Sequence, residues 1–327
     1  MRRIPAMISL TVLAVIGGLP SAGAHEARGA ARASLSVHGS VRQVYVTGAT
    51  PSEGLELLGK GAQPVAHATA DAAGSAIFRD IEPGRGYRVV TDSEAKPTPV
   101  VVLGDTPPAQ KFYAAQDLGP GYGYLKTRDG TTLAVNVTLP GPPEDGPYPT
   151  VIEYSGYDPA NPDSPEPGSA LAQTLGYATV GVNMRGTGCS GGAWDYFEPL
   201  QSLDGYDAVE IVAAQRWVQH GKVGMVGISY PGITQLFVGA TRPPHLAAIT
   251  PVSVIDDTYQ VVYPGGIFND GFALEWAKGR QEDAQPAPQG GQEWAKQRIA
   301  DGDVTCEENQ ALRLQAPAVL DDLPRNS

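Results

Sequence analysis

Histidine and cysteine are scarce in this chain, with five and two residues among 327. Metal centres need closely spaced His, Cys or carboxylate ligands, and no such cluster stands in the sequence, so neither a metal nor any other cofactor is expected. Positive charge is also in deficit: 23 Lys and Arg against 35 Asp and Glu give a net charge of −12. Without a basic footprint, nucleic acid and anionic membrane surfaces are poor partners. Long hydrophobic runs are missing too. The longest apolar stretch, Ile8 to Leu19, is broken by Gly17 and Gly18 and is too short for a comfortable membrane helix.

That stretch has another reading. Arg2 and Arg3 precede it and Ala22-Gly23-Ala24 ends it before His25, the pattern of an export signal cleaved after Ala24. The mature protein is expected to be secreted, with no membrane anchor; loss of Arg2 and Arg3 takes its charge from −12 to −14. Cys189 and Cys306 then have two readings: one disulfide, as suits an exported protein, or two unpaired small core residues.

From about Ser34 to Thr106 short apolar runs alternate with Gly- and Pro-containing turns: Val41 to Val46, Leu55 to Leu58, Ala76 to Ile81, Tyr87 to Thr91 and Pro99 to Leu103. This spacing predicts a small antiparallel β-sandwich over 34–106, of immunoglobulin-like or transthyretin-like type, acting as a spacer or a binding module. Residues 107–117 read as a linker. From 118 to 327 strands and helices alternate, which predicts an α/β domain with a largely parallel sheet covered on both faces. A helix from about Ser202 to Gln219 carries a broad apolar face for that sheet. After about residue 257 a polar, helix-prone stretch reads as the start of a cap.

The chemistry centres on Val223-Gly224-Met225-Val226-Gly227-Ile228-Ser229-Tyr230-Pro231-Gly232. An apolar strand enters Gly-x-Ser and leaves as a helix with apolar Ile233, Leu236, Phe237 and Ala240, the context in which a tight turn exposes a nucleophilic serine. Ser229 is the candidate nucleophile. Pro231 stands where the common pattern has its second glycine, with Gly232 one residue later; proline is tolerated in the first turn of a helix.

Several ordered features accompany this elbow: the Asp129-Gly130 hairpin within Thr127 to Leu133, the run Val151 to Asp158, the strand Ala178 to Asn183, and the turn Arg185 to Gly192. From about Tyr122 to Trp276 the chain resembles the cocaine esterases and Xaa-Pro dipeptidyl peptidases, serine hydrolases with an α/β-hydrolase core. The resemblance implies cleavage of an ester or an amide or peptide bond through an acyl-enzyme on Ser229. It also implies an oxyanion hole made of the Tyr230 backbone N–H and the Tyr157 hydroxyl. Read without it, Tyr157 is a loop aromatic packed on the core. Substrate choice between ester and peptide is not implied.

A serine needs a histidine to take its proton and a carboxylate to orient that histidine. In α/β-hydrolases these follow the nucleophile in the order acid, then base. Only His245 follows Ser229, at the far end of the nucleophile's helix, and His220 precedes the elbow strand. Both read as ordinary loop histidines. Asp256, Asp257 and Asp270 are acids by composition only and read as solvated or capping carboxylates. The expectation is a hydrolase without its acid and base, either a fragment or a true truncation, with a catalytically incomplete exported protein as the alternative. Arg185 is expected to brace its glycine-rich loop through Asp195.

Overall fold

The computed structural model describes residues 35–91, 99–255 and 257–318. The export signal expected over 1–24 lies outside the described residues, as does Asp256. Seven short strands come first: β1 (Ser36–Ser40), β2 (Gln43–Thr47), β3 (Gly54–Leu58), β4 (Pro64–Thr69), β5 (Ala76–Phe78), β6 (Gly84–Val90) and β7 (Val100–Val102). They form two antiparallel sheets, ordered β1-β2-β5 and β4-β3-β6-β7. Val44, Val46 and Phe78 from the first sheet share one core with Leu55, Leu57, Val89 and Val102 from the second. Alternation made β2, β3 and β5 readable in advance. β4 escaped notice because this edge strand, Pro-Val-Ala-His-Ala-Thr, leaves most of its side chains exposed, Val65 included, and shows no apolar period.

Residues 107–117 are not a loose linker. They hold helix α1 (Gln110–Ala114), whose Tyr113 is buried with its hydroxyl donating to Asp207 at 2.8 Å. A buried tyrosine ring with a satisfied hydroxyl ties this segment into the larger core.

The α/β part is a six-stranded mixed sheet. β8 (Gly121–Lys126) and β9 (Thr132–Thr138) pair antiparallel around the Asp129-Gly130 turn, with Gly130 at φ 92°. β9 runs antiparallel to β11 (Ala178–Asn183), and β11, β10 (Thr150–Ser155), β12 (Val223–Ile228) and β13 (Leu246–Val252) are parallel neighbours in the order β13-β12-β10-β11-β9-β8. Every side chain of β10 and β11 is buried, as expected of parallel strands covered on both faces. Helices α2 (Pro167–Thr174), α3 (Pro199–Ala213) and α4 (Tyr230–Ala240) pack against it. This is the α/β-hydrolase arrangement. An apolar groove of about 590 Å³ is left along α2 and the β12–β13 edge, lined in part by Leu171, Leu175, Ile228 and Val252.

Helix α3 stops at Ala213, six residues before the expected end. Gln215 folds back instead, donating to Ile211 O and Gln116 O and accepting from Leu118 N, while the Trp217 indole donates to Leu118 O. These tertiary bonds to the 116–118 segment replace further helical turns.

Charged residues are buried in pairs beneath the α1–α3 face. Arg128 grips Asp207 with its Nε at 3.0 Å and Nη2 at 2.8 Å. Arg185 bonds Asp204 at 2.5 and 2.7 Å and Asp129 at 3.1 Å. The expected Arg185–Asp195 brace is therefore replaced: Asp195 faces Arg79 of the sandwich at 3.7 Å, and Arg185 turns inward to two other carboxylates. Burial alone would raise Asp129, but Arg185, Ser40, Thr131 and Thr127 outweigh it and hold its carboxyl far below the usual range.

After β13 come α5 (Thr258–Val262), α6 (Phe272–Asp283), α7 (Glu293–Ala300) and α8 (Val304–Glu308). A disulfide joins Cys189, in the loop after β11, to Cys306 of α8. Gln315, beyond α8, accepts from Ile77 N of the sandwich and donates to Asp71 and Ser75 O. Among the described residues no helix is long and apolar enough to cross a membrane.

Candidate active site

β12 delivers the chain to Ser229, which sits between strand and helix at φ 65°, ψ −121°, a region that L residues seldom occupy. Two bonds hold the strain: Ser229 N donates to Val252 O at 2.9 Å, and Ile233 N donates to Ser229 O at 2.8 Å. The glycines explain the motif. Gly227 is at φ 149°, and any Cβ there would strike Pro231. A Cβ on Gly232 would come to 2.5 Å from Val252 O. The close approach of helix to neighbouring strand thus falls at Gly232, while Pro231 occupies the first turn of α4 without needing an N–H partner.

Tyr230 opens α4, so its N–H is among those with no acceptor inside the helix. Its side chain is buried away from Ser229, where the hydroxyl accepts from Trp194 Nε1 at 3.2 Å. Burial pushes the Tyr230 phenol well up, against the opposing pull of the Trp194 hydrogen bond and Arg280.

Tyr157 lies in the loop after β10, its hydroxyl 3.5 Å from Ser229 Oγ. Its oxygen accepts from Trp276 Nε1 at 2.9 Å, and the Arg280 guanidinium lies 4.7 Å from the ring centre. Gly156 lets the loop pass over the Tyr230 ring, since a Cβ would come within 2.8 Å of it. Beside the loop, Asp158 accepts from Trp294 Nε1 at 2.8 Å, and its backbone N–H donates to Glu166 at 3.0 Å. Burial raises both carboxyls; Trp294 and Arg280 oppose the rise at Asp158.

The other sequence candidates are elsewhere. The His245 ring meets Glu210 at 2.7 Å, and its carbonyl accepts from Val223 N, at the opposite end of β12 from Ser229. Six strand residues separate those ends by about 20 Å. His220 lies in the turn before β12. Asp257 caps α5 by accepting from Gln260 N at 3.2 Å, and Asp270 sits in an exposed turn. Among the described residues no group of three or more His, Cys, Asp and Glu could hold a metal ion.

Sequence reasoning missed Asn183, Trp276, Arg280, Gln292 and Trp294, all of which contact the Tyr157 loop or its ring. Four of them come from the helical segment after β13, more than 100 residues downstream. Only the scarcity of tryptophan, four in the chain, could have marked Trp276 and Trp294.

Comparison with known proteins bears on the same elements. The chain is 32% identical over 157 residues to the cocaine esterase of Rhodococcus sp. (strain MB1 Bresler), covering 46% of this chain and 26% of that protein. A CocE/NonD family hydrolase from Staphylococcus aureus aligns over 63% of this chain and 35% of its own, at 23% identity and a TM-score of 0.48. An aminopeptidase from a marine sediment Thaumarchaeota archaeon aligns over 43% and 27%, at 21% identity and a TM-score of 0.37. The chain thus spans about a quarter to a third of the length of these relatives. The model of the X-Pro dipeptidyl-peptidase (S15) family matches residues 129–323, from the β8–β9 turn through the elbow to the segment beyond α8, and the chain belongs to that family.

Proposed function

We propose that this protein is a serine hydrolase that cleaves an ester, amide or peptide bond through an acyl-enzyme on Ser229. The observation that carries the reading is the strained Ser229 with the Tyr157 hydroxyl 3.5 Å from its Oγ and the start of α4 beside it. In the reaction Ser229 Oγ attacks the substrate carbonyl carbon, and the carbonyl oxygen gains negative charge. The Tyr230 N–H and the Tyr157 O–H donate to that oxygen; one such donor is worth roughly 10²–10³ in rate. The proton that Ser229 Oγ loses leaves on the departing alcohol or amine, and water then adds to the acyl carbon, releasing the acid and returning a proton to Ser229 Oγ. The substrate is a small ester or amide or a peptide, in keeping with family relatives whose names include both esterase and peptidase.

Export is part of the proposal. The signal-like residues 1–24 support it, and so does the Cys189–Cys306 disulfide, a bond favoured in oxidising compartments. Finding the mature N-terminus at His25 in secreted material supports it, and retention of residues 1–24 in cytoplasmic material refutes it.

The competing reading, a catalytically incomplete protein whose sandwich binds or spaces, is favoured by one observation: His245 and His220 both lie away from Ser229. Hydrolysis of small aryl esters by the wild type and by Ser229→Ala separates the two. Turnover that vanishes in the folded variant supports catalysis on Ser229. Equal rates in both proteins exclude it.

A further inference from the structure

We infer that Gln292, the residue immediately before α7, is a positioning residue for the oxyanion loop; the inference rests on the serine-hydrolase reading above. Gln292 is only 6% exposed, and both donors of its side-chain amide are engaged. Its Nε2 donates to two successive carbonyls, Gly156 O at 3.0 Å and Tyr157 O at 2.9 Å. Its Oε1 accepts from Asn183 Nδ2 at 3.3 Å, and the same Asn183 nitrogen donates to Tyr157 O at 2.7 Å.

The Tyr157 carbonyl therefore accepts two bonds, one from the end of β11 and one from α7. A carbonyl oxygen has two lone pairs, so both are engaged and the peptide plane after Tyr157 has little freedom to turn. Two residues further along α7, Trp294 holds Asp158. One helical turn thus grips residues 156, 157 and 158 in succession.

There is little slack around this grip. A Cβ on Gly188 would collide with the Trp294 ring and come within 3.0 Å of both Asn183 and Gln292. The disulfide from Cys189 to Cys306 fixes α8, which packs on α7, to the same loop. Arg313 adds bonds to Gly188 O and Ser190 O. The Tyr157 hydroxyl faces Ser229 because its backbone is held from behind, and an oxyanion donor contributes to rate only if it is fixed before charge develops.

Gln292→Leu removes both donors while keeping similar bulk. In the full chain, with a small aryl ester as probe, kcat is expected to fall at least tenfold with KM changed less than threefold. Circular dichroism should match the wild type, and amide exchange at 156–158 should be faster. Gln297→Leu, on the exposed side of α7, should leave kcat unchanged. If Gln292→Leu fails to fold, Gln292→Met, which keeps the unbranched length but has no N–H or O–H donor, must give the same kcat loss. Wild-type kcat in either folded Gln292 variant overturns the inference alone. Absence of Ser229-dependent turnover in the wild type overturns the catalytic reading and this inference with it.

Discussion

The indole N–H of Trp276 donates to the hydroxyl oxygen of Tyr157 at 2.9 Å, and that hydroxyl stands 3.5 Å from Ser229 Oγ. An oxygen that already accepts a hydrogen bond keeps its own proton for another acceptor, and Ser229 Oγ or a carbonyl bound beside it lies within reach. Hydrogen bonds in such a chain strengthen one another. Tyr157→Phe is expected to lower kcat by roughly 10²–10³. Trp276→Phe, which keeps a ring but removes the donor, should lower it by about tenfold, near the worth of one hydrogen bond. Steady-state ester hydrolysis checks both, and the ordering of the two losses is the prediction.

Gly232 stands one residue beyond its usual place in the elbow, and its packing against Val252 O leaves no room for a methyl group. Gly232→Ala is expected to cost about 1–3 kcal/mol, the range for overpacking a close contact. It should also impair Ser229 by moving α4 away from β13. Gly279→Ala on α6, where a Cβ meets nothing, is the comparison and should be neutral or slightly stabilising. Urea denaturation of both variants measures the difference.

Glu198, at the start of α3, is buried where Gln43 of the sandwich donates to it at 3.2 Å. Burial and then the neighbouring Asp195 push its carboxyl up from 4.5 to about 7, against the pull of Arg185 and Arg79; Asp204 adds a smaller upward push. A carboxyl raised in the folded state binds its proton more tightly there than when unfolded. Its stabilising effect is therefore complete below about pH 4.5 and is lost as pH rises to about 7, by at most about 3 kcal/mol. Asp129 acts in the opposite sense and lower down: its depressed value means stability is lost as strong acid protonates it. Thermal melts should show the wild type losing stability from pH 5 to pH 7.5 relative to Glu198→Gln. Parallel curves for the two proteins contradict this assignment.

Cys189 and Cys306 close a loop with a sequence separation of 117 residues. Removing the cross-link with Cys189→Ser and Cys306→Ser together is expected to lower stability by about 5 kcal/mol on the chain-entropy account. The loss should appear first as faster proteolysis of the 293–315 segment, which the bond holds against the loop after β11. Limited trypsin digestion of oxidised and double-Ser proteins tests this.

The fold was legible wherever one physical pattern dominated a segment. The Asp129-Gly130 turn predicts the β8–β9 hairpin, and the apolar run into Gly227-Ile228-Ser229 predicts strand, turn and helix in order. Patterns failed where distant residues decide the conformation. α3 ends early because Gln215 and Trp217 bond to residues 116–118. Arg185 bonds Asp204 and Asp129 rather than Asp195, which is nearer in sequence and just as buried but faces Arg79 of the sandwich. Around the site, the elbow motif singled out Ser229 and the family resemblance singled out Tyr157 and Tyr230, whereas neither marked Gln292, Trp276 or Arg280. No local period or spacing ties a residue on a later helix to a loop more than 100 residues before it.

The central claim is that Ser229 is a nucleophile poised beside an oxyanion hole. The most direct test is to treat the folded protein with a fluorophosphonate and locate the adduct by peptide mass spectrometry. The account predicts one adduct, on Ser229, absent from Ser229→Ala and formed much more slowly in Tyr157→Phe. A folded protein that leaves Ser229 unmodified, or labels equally fast without the Tyr157 hydroxyl, contradicts it.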